Sequence, residues 1–372
     1  MQVSSRTRAR AVWRRVHLAL GLTLGGFFVL LGLTGSLLVF YVELDAWRYP
    51  AAQVGERAPL EAFTQRLRTA FPERPGPWRL ELPADPQRPL TARYYKPVER
   101  QQRDFAPLLV TLDPVSAQVL RERFWGDDLL TFVYDLHYSL LLERPGRWTV
   151  GGLGLGLLCS LGSGLWLWWP RRGQWRRAFR VKPRSGAARA VYDLHVAGGV
   201  YGLVLLGVLA VTGAVLALPE FVKPALAPLA APPVLRTTPL ARGAISADAA
   251  MAAAQQALPG GEPAWVEMPA DAQGAWRISL RVPGDPGQRF PHSQVWVDPY
   301  TGTVLHLRDA RHDGAGDVFL NWMHPLHSGE AFGLGGRLLV LVSGFIPLLL
   351  AVTGYLRWRQ KAQARTGRKA RL

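Results

Sequence analysis

Four stretches of the chain carry no Asp, Glu, Lys or Arg over a length able to cross a bilayer: Val16–Val42, Trp148–Pro170, Leu194–Pro219 and Leu338–Leu356. Roughly 20 apolar residues span the hydrocarbon layer, and four such runs exceed what the buried helices of a soluble protein require. Between them the pattern changes to short amphipathic runs. Candidate helices at Leu60–Phe71 and Ala247–Leu258 precede candidate strands at Trp78–Leu82 and Arg277–Val282. Alternating residues then lead into tight turns, which is the strand-and-turn signature.

These turns expose a duplication. Asp113-Pro114-Val115-Ser116-Ala117-Gln118-Val119-Leu120 matches Asp298-Pro299-Tyr300-Thr301-Gly302-Thr303-Val304-Leu305, and each follows an alternating strand. An Asp-Pro pair starts a turn because proline presets its φ and the carboxylate caps nearby N–H groups. The spans repeat as well: His17 stands as far before Thr34-Gly35 as His195 before Thr212-Gly213. Leu136-His137 precedes Gly146-Arg147 at the interval that separates Leu326-His327 from Gly336-Arg337, and Ser163-Gly164 corresponds to Thr353-Gly354. The repeated unit is span, outer domain, His-bearing helix, span. The expected order is an N-terminus with the first span (1–43), an outer domain (44–145), a second span (146–170) and a basic loop (171–193). A third span (194–219), a second outer domain (220–336), a fourth span (337–358) and a basic tail (359–372) complete it, with Pro-rich joints such as Pro219–Pro239.

Charge then orients the spans. The net charge of +17 would suggest a nucleic-acid binder, but twenty of the 44 basic residues fall within 1–16, 170–190 and 356–372, and none of these segments holds an acid. All three lie on one side if the chain crosses four times, and the positive-inside rule makes that side cytoplasmic. No nucleic-acid partner is expected; membrane lipid is. The first span reads as a retained anchor, too long for a signal-peptide core and with no small-residue cleavage site at Phe40-Tyr41-Val42-Glu43. The single cysteine, Cys159, sits within a span and reads as packing, so the outer domains lack disulfides and no covalent haem-attachment motif exists.

A ligand-type side chain in a membrane segment marks a functional site. By duplication His17 pairs with His195 at the inner face and His137 with His327 at the outer face. Histidines related in this way can ligate a haem iron from both sides of a flat macrocycle. Gly21, Gly25, Gly26, Gly198, Gly199 and Gly202 would give room for a ring or for a neighbouring helix. Arg14, Arg15 and Arg189 are candidate partners for its acidic groups. His324, one turn before His327 and near Glu330, is an alternative ligand, or one of three in a separate metal site; His292, His306 and His312 read as surface residues. No Gly-x-Ser-x-Gly or His-Glu-x-x-His motif points to hydrolysis.

With its two strand-turn-strand copies and its Leu-His and Thr-Gly spacings, the chain resembles the PepSY-associated transmembrane family, whose members include iron-regulated membrane proteins and a ferric-siderophore reductase. The resemblance implies an α-helical membrane protein with four transmembrane helices and two small α+β, PepSY-like periplasmic domains. It implies a multi-pass protein of the bacterial inner membrane, both termini cytoplasmic, with two non-covalent b-type haems on His17, His195, His137 and His327. The implied activity is an oxidoreductase one: electrons from an unidentified cytoplasmic or membrane donor pass outward to a ferric siderophore and release iron(II). For the outer haem to lie within reach, Leu129–Leu142 and Val318–His327 must dip toward the bilayer, or aromatic residues such as Trp166, Trp168 or Trp322 must relay. Two other readings stand beside it: a non-enzymatic module that binds or inhibits peptidases, and a periplasmic metal-handling site at His324, His327 and Glu330.

Overall fold

The computed structural model describes residues 5–47, 55–179, 186–226, 235–241 and 243–369. Arg180, Lys182, Arg184 and Arg371, and part of the Pro-rich joint, lie outside the described residues. Two compact units form: a helical unit of Met1–Val39, Leu136–Pro219 and Leu326–Leu372, and a sheet unit of Phe40–Asp135 and Glu220–Pro325.

The first repeat begins with α1 (Ser5–Leu38) and α2 (Tyr41–Trp47), followed by α3 (Leu60–Ala70), β1 (Trp78–Glu81), β2 (Leu90–Tyr94), β3 (Leu108–Leu112) and β4 (Val119–Phe124). It closes with α4 (Leu129–Ser139) and α5 (Glu143–Trp168), and the short α6 (Trp175–Ala178) links it to the second. There the helix matching α1 is in two pieces, α7 (Ala187–Tyr201) and α8 (Leu203–Ala217). Next come α9 (Pro219–Leu226), α10 (Ala247–Ala257), β5 (Glu262–Glu267), β6 (Trp276–Arg281), β7 (Ser293–Val297) and β8 (Val304–Arg308). Helix α11 (Ala315–Ser328) precedes a last span, again in two pieces: α12 (Gly333–Ser343) and α13 (Ile346–Lys369).

Among the described residues, Thr7–Leu38, Glu143–Trp168 and Glu330–Ala364 are long and apolar enough to cross a membrane. The pair α7 and α8, bent by 57°, qualifies together as a fourth. The helices outrun the apolar runs because arginine is a good helix former: α1 starts eleven residues before Val16. Close helix contacts form where glycine permits them. A Cβ on Gly32 would stand 2.5 Å from the Gly344 carbonyl, and one on Gly344 would stand 2.3 Å from the Gly32 carbonyl, so α1 and the joint of α12 and α13 touch backbone to backbone. The Ser36 hydroxyl donates to the Leu341 carbonyl (2.7 Å) beside this contact. Gly151 meets the Leu218 side chain just past the end of α8, and Gly154 meets the Ala210 carbonyl, seating α5 on α8. Cys159 is exposed on α5, not packed inside as expected.

In the sheet unit both repeats contribute to one antiparallel sheet, ordered β4-β3-β2-β1-β5-β6-β7-β8. Two separate outer domains are the expectation from sequence; the structure joins them at β1 and β5, with Arg79 opposite Glu267 and Leu80 opposite Val266. Arg79 and Arg277 both pair with the Glu267 carboxylate. Helices α3 and α10 share one apolar core with the sheet, from Phe63 and Leu67 through Trp78 and Leu80 to Val266, Trp276 and Ile278. They also cap each other. Asp248 accepts from the N–H groups of Leu60 (2.8 Å) and Glu61 (3.0 Å), and Glu61 accepts from that of Ala247 (2.8 Å). Each carboxylate thereby satisfies N–H groups that an α-helix leaves unbonded at its start.

Both Asp-Pro turns form as the sequence predicts. Asp113 Oδ1 accepts from the N–H groups of Val115 (2.9 Å) and Ser116 (2.8 Å), and Asp298 Oδ1 from those of Tyr300 (2.7 Å) and Thr301 (3.0 Å). Each turn ends in the left-handed region, at Ala117 (φ 54°) and Gly302 (φ 75°).

Candidate functional site: two facing histidine pairs

Four Ser/Thr-Gly dipeptides, on α1, α5, α8 and α13, hold the four histidines. The Thr34 hydroxyl lies 3.0 Å from His137 Nδ1 and the Thr212 hydroxyl 2.9 Å from His327 Nδ1. Thr353 lies 3.0 Å from His195 Nδ1, and Ser163 lies 3.0 Å from His17 Nδ1. The glycine that follows makes room for the ring. A Cβ there would stand 2.9 Å from Cε1 of His137 at Gly35 and 3.1 Å from that of His17 at Gly164; the values are 3.0 Å for His327 at Gly213 and 3.3 Å for His195 at Gly354. Any larger residue would push the ring away.

These contacts favour one tautomer. A hydroxyl has one hydrogen to donate, and Thr34 donates it to the Leu30 carbonyl (2.7 Å), Thr212 to that of Val208 (2.8 Å), Ser163 to that of Ser160 (2.9 Å) and Thr353 to that of Leu349. The oxygens can then only accept, so each imidazole donates from Nδ1. For His17 the Ser160 carbonyl, 3.1 Å from Nδ1, requires the same, since a carbonyl cannot donate. In that arrangement Nε2 carries the lone pair of each ring. Holding one nitrogen of an imidazole so that the other can bind is how proteins orient a histidine ligand.

The rings then meet in pairs. His17 faces His195 with ring centres 6.2 Å apart and planes at 78°, and His137 faces His327 at 6.1 Å and 49°. Two imidazoles bound to opposite sides of one metal ion, at about 2 Å per bond, have centres roughly 6 Å apart. The spacing of both pairs fits a shared ion, and it also lies within the range of direct ring contact, roughly 4.5–7 Å. Seventeen residues of α1 separate His17 from Thr34, which at 1.5 Å per residue is about 25 Å along the helix axis. His137 lies beside Thr34-Gly35, inside Thr7–Leu38, so this ring is at the depth of the span. The turn before α5 allows it: Gly146 packs against the Ser139 carbonyl and Gly336 against the Gly329 carbonyl, closer than any Cβ permits.

Other candidates take different places. The His324 ring packs edge-on against Phe290, with centres 4.5 Å apart, whereas His327 faces His137. Among the described residues no group of three or more His, Cys, Asp or Glu side chains could hold a metal ion, so the three-ligand site at His324, His327 and Glu330 does not form. His292 is not a plain surface residue: its backbone N–H donates to Asp285 (3.0 Å), and its ring lies 3.5 Å from the same carboxylate. Burial would raise the Asp285 carboxyl, but the hydrogen bonds from His292 and the Gly287 N–H outweigh it and hold the group below the usual carboxylate range. His306 lies against Trp296 and His312 beside Asp309, both exposed. Arg189 pairs with Asp193 at 2.9 Å. Of the glycines first considered for ring space, Gly198 and Gly202 pack on Leu349 and Ile346, Gly25 and Gly199 touch Ala351 and Leu350, and Gly21 and Gly26 face open space. The hydroxyls of Thr34, Ser163, Thr212 and Thr353 were the functional groups not assigned from sequence. Their signal was present as one hydroxyl-Gly dipeptide at equivalent places in the spans.

The fold and site define a class: a helical membrane protein built from two repeats, in which two pairs of histidines face each other. The chain belongs to the PepSY-associated TM region family, whose model matches residues 14–361, nearly its whole length. No curated protein matches it.

Proposed function

We propose that this protein is a di-haem electron-transfer protein of the bacterial inner membrane that reduces ferric siderophores. In this reading the chain crosses four times, the basic termini and the 171–193 loop lie in the cytoplasm, and the sheet unit is periplasmic. His17 and His195 would hold one b-type haem and His137 and His327 the other. The observation that carries the reading is the pair spacing of 6.1–6.2 Å together with four Nδ1–H groups tied to hydroxyls.

Bound haem supplies one-electron chemistry, with potentials set by axial ligands and their hydrogen bonds. The chain's own residues do the rest. Ser163 and Thr353 orient one pair of imidazoles, Thr34 and Thr212 the other, and the glycines beneath keep the rings in place. Both pairs lie within the spans, which excludes water from them. The substrate is the ferric chelate, which takes one electron per iron. Iron(II) is held less tightly by oxygen donors built for iron(III), so reduction is release.

The test uses purified protein reduced with dithionite and freed of excess reductant. A ferric hydroxamate chelate is added with a chromogenic iron(II) chelator. The expected result is reoxidation matched by one iron(II) per electron; a reduced protein that a ferric chelate leaves untouched would contradict the proposal.

A further inference from the structure

A pocket of about 370 Å³ opens in the helical unit where α5 ends and α7 begins. The volume is that of a small-molecule site. Five rings line it: Trp168, Trp169, Phe179, Tyr192 and Tyr201. Trp168 packs on Phe179 (ring centres 5.2 Å apart) and Phe179 on Tyr201 (6.3 Å), while the Tyr201 hydroxyl donates to the Phe179 carbonyl (3.3 Å). The slot is therefore built of mutually supporting rings.

Its charges are largely matched already. Asp193, 5% exposed, pairs with Arg189, and Arg10 donates to the Leu167 carbonyl (2.8 Å). Arg171 completes the charged lining. A buried acid next to the cations disfavours a phosphate dianion. Among the described residues the Trp168 indole N–H is buried and has no hydrogen-bond acceptor. Leaving a buried donor unmade costs about 1–3 kcal/mol; the nitrogen has almost no accessible surface, so a ligand's carbonyl oxygen would recover this cost once the indole edge turns toward the pocket.

The site is also close to the first histidine pair along the chain. Trp168 follows Gly164, which packs on His17, by one helical turn; Asp193 precedes His195 by two residues, and Arg10 precedes His17 by two turns. We infer that this pocket binds a conjugated ring bearing carbonyl oxygens, either a quinone head from the membrane or the isoalloxazine of a flavin from the aqueous side. The ring would stack among the tryptophans and tyrosines while a carbonyl oxygen accepts from Trp168. The inference rests on the proposed function for its purpose, which is to seat the reductant, but its geometry stands without it.

The test is binding to the full-length protein in lipid discs. Decylubiquinone and flavin mononucleotide are titrated separately, and an azido-quinone is used to photolabel the chain. The expected result is saturable one-site binding of at least one of the two, with the better ligand identifying the source. Excess of that ligand should protect a peptide carrying residues 168–201 from label. Trp168→Phe, which keeps the ring and loses the N–H, should weaken binding roughly tenfold. The His17→Ala/His195→Ala protein, measured in parallel, should bind the ring as the parent does, so that loss of haem and loss of ring binding are read independently. No saturable binding by either compound, label spread along the spans, or displacement by anionic lipid alone would overturn the inference.

Discussion

Replacing Thr34 and Thr212 together with valine removes the two oxygens that accept from His137 and His327 and changes side-chain volume little. Each lost contact is a hydrogen bond of 2.9–3.0 Å to a buried imidazole. The carbonyls of Leu31 and Leu209 remain available to the same rings, so the N–H groups are weakened rather than stranded. That sets the loss near a net hydrogen bond, about 1–1.5 kcal/mol at each ring, so about 2–3 kcal/mol and on the order of a hundredfold in affinity for the double variant, within what changes to the groups behind a ligand cost a metal site. In the proposed reading an imidazole that loses an acceptor at Nδ1 is a poorer donor at Nε2, so iron(III) would be stabilised less and the midpoint potential of a haem held there would rise. Haem transfer to an apoprotein scavenger measures the first effect and a redox titration the second. Thr34→Ser/Thr212→Ser keeps both oxygens and should behave as the parent. The reasoning is refuted if the valine protein keeps parental haem affinity and potential while His137→Ala loses that haem.

Three further outcomes follow from the geometry. Gly35→Ala places a methyl 2.9 Å from His137 Cε1, whereas Gly21→Ala enters open space; the first should lose one haem and the second neither, read from the haem-to-protein ratio. Glu61→Gln and Asp248→Asn each remove a charged cap shared between α3 and α10 and should each cost about 0.5–2 kcal/mol, less than additively in the double variant, as measured by denaturation of the sheet unit in the intact protein. Asp285 has a folded-state pKa below its unfolded one, so its contribution is present above the ordinary carboxylate range and lost as pH falls through the depressed value. Asp285→Asn should therefore narrow the stability difference between pH 7 and pH 3, and an unchanged difference would rule out this carboxylate as a source of acid sensitivity.

The spans were legible because a missing charge over twenty residues is a local signal. Their true ends were not, since Arg6 to Arg15 continue α1 as helix while ending the apolar run. The Asp-Pro turns and the helices α3 and α10 were legible for the same reason: proline, aspartate and helical periodicity act within a few residues. The joining of two repeats into one sheet was not, because the Arg79–Glu267 pairing links positions 188 residues apart and leaves no local trace. The histidine pairs could be read only through the duplication. The Thr-Gly and Ser-Gly dipeptides entered that reading as markers of alignment, and their role needed the structure: the hydroxyl and the ring it holds lie 103 to 158 residues apart.

The most direct test of the central claim is a reduced-minus-oxidised absorption spectrum of the purified protein with haem quantitation, repeated on each His→Ala variant. The account predicts a bis-imidazole b-type spectrum with two haems per chain. One should be lost on replacing His17 or His195, and the other on replacing His137 or His327. A folded protein without colour, or a haem content that survives all four replacements, would contradict it.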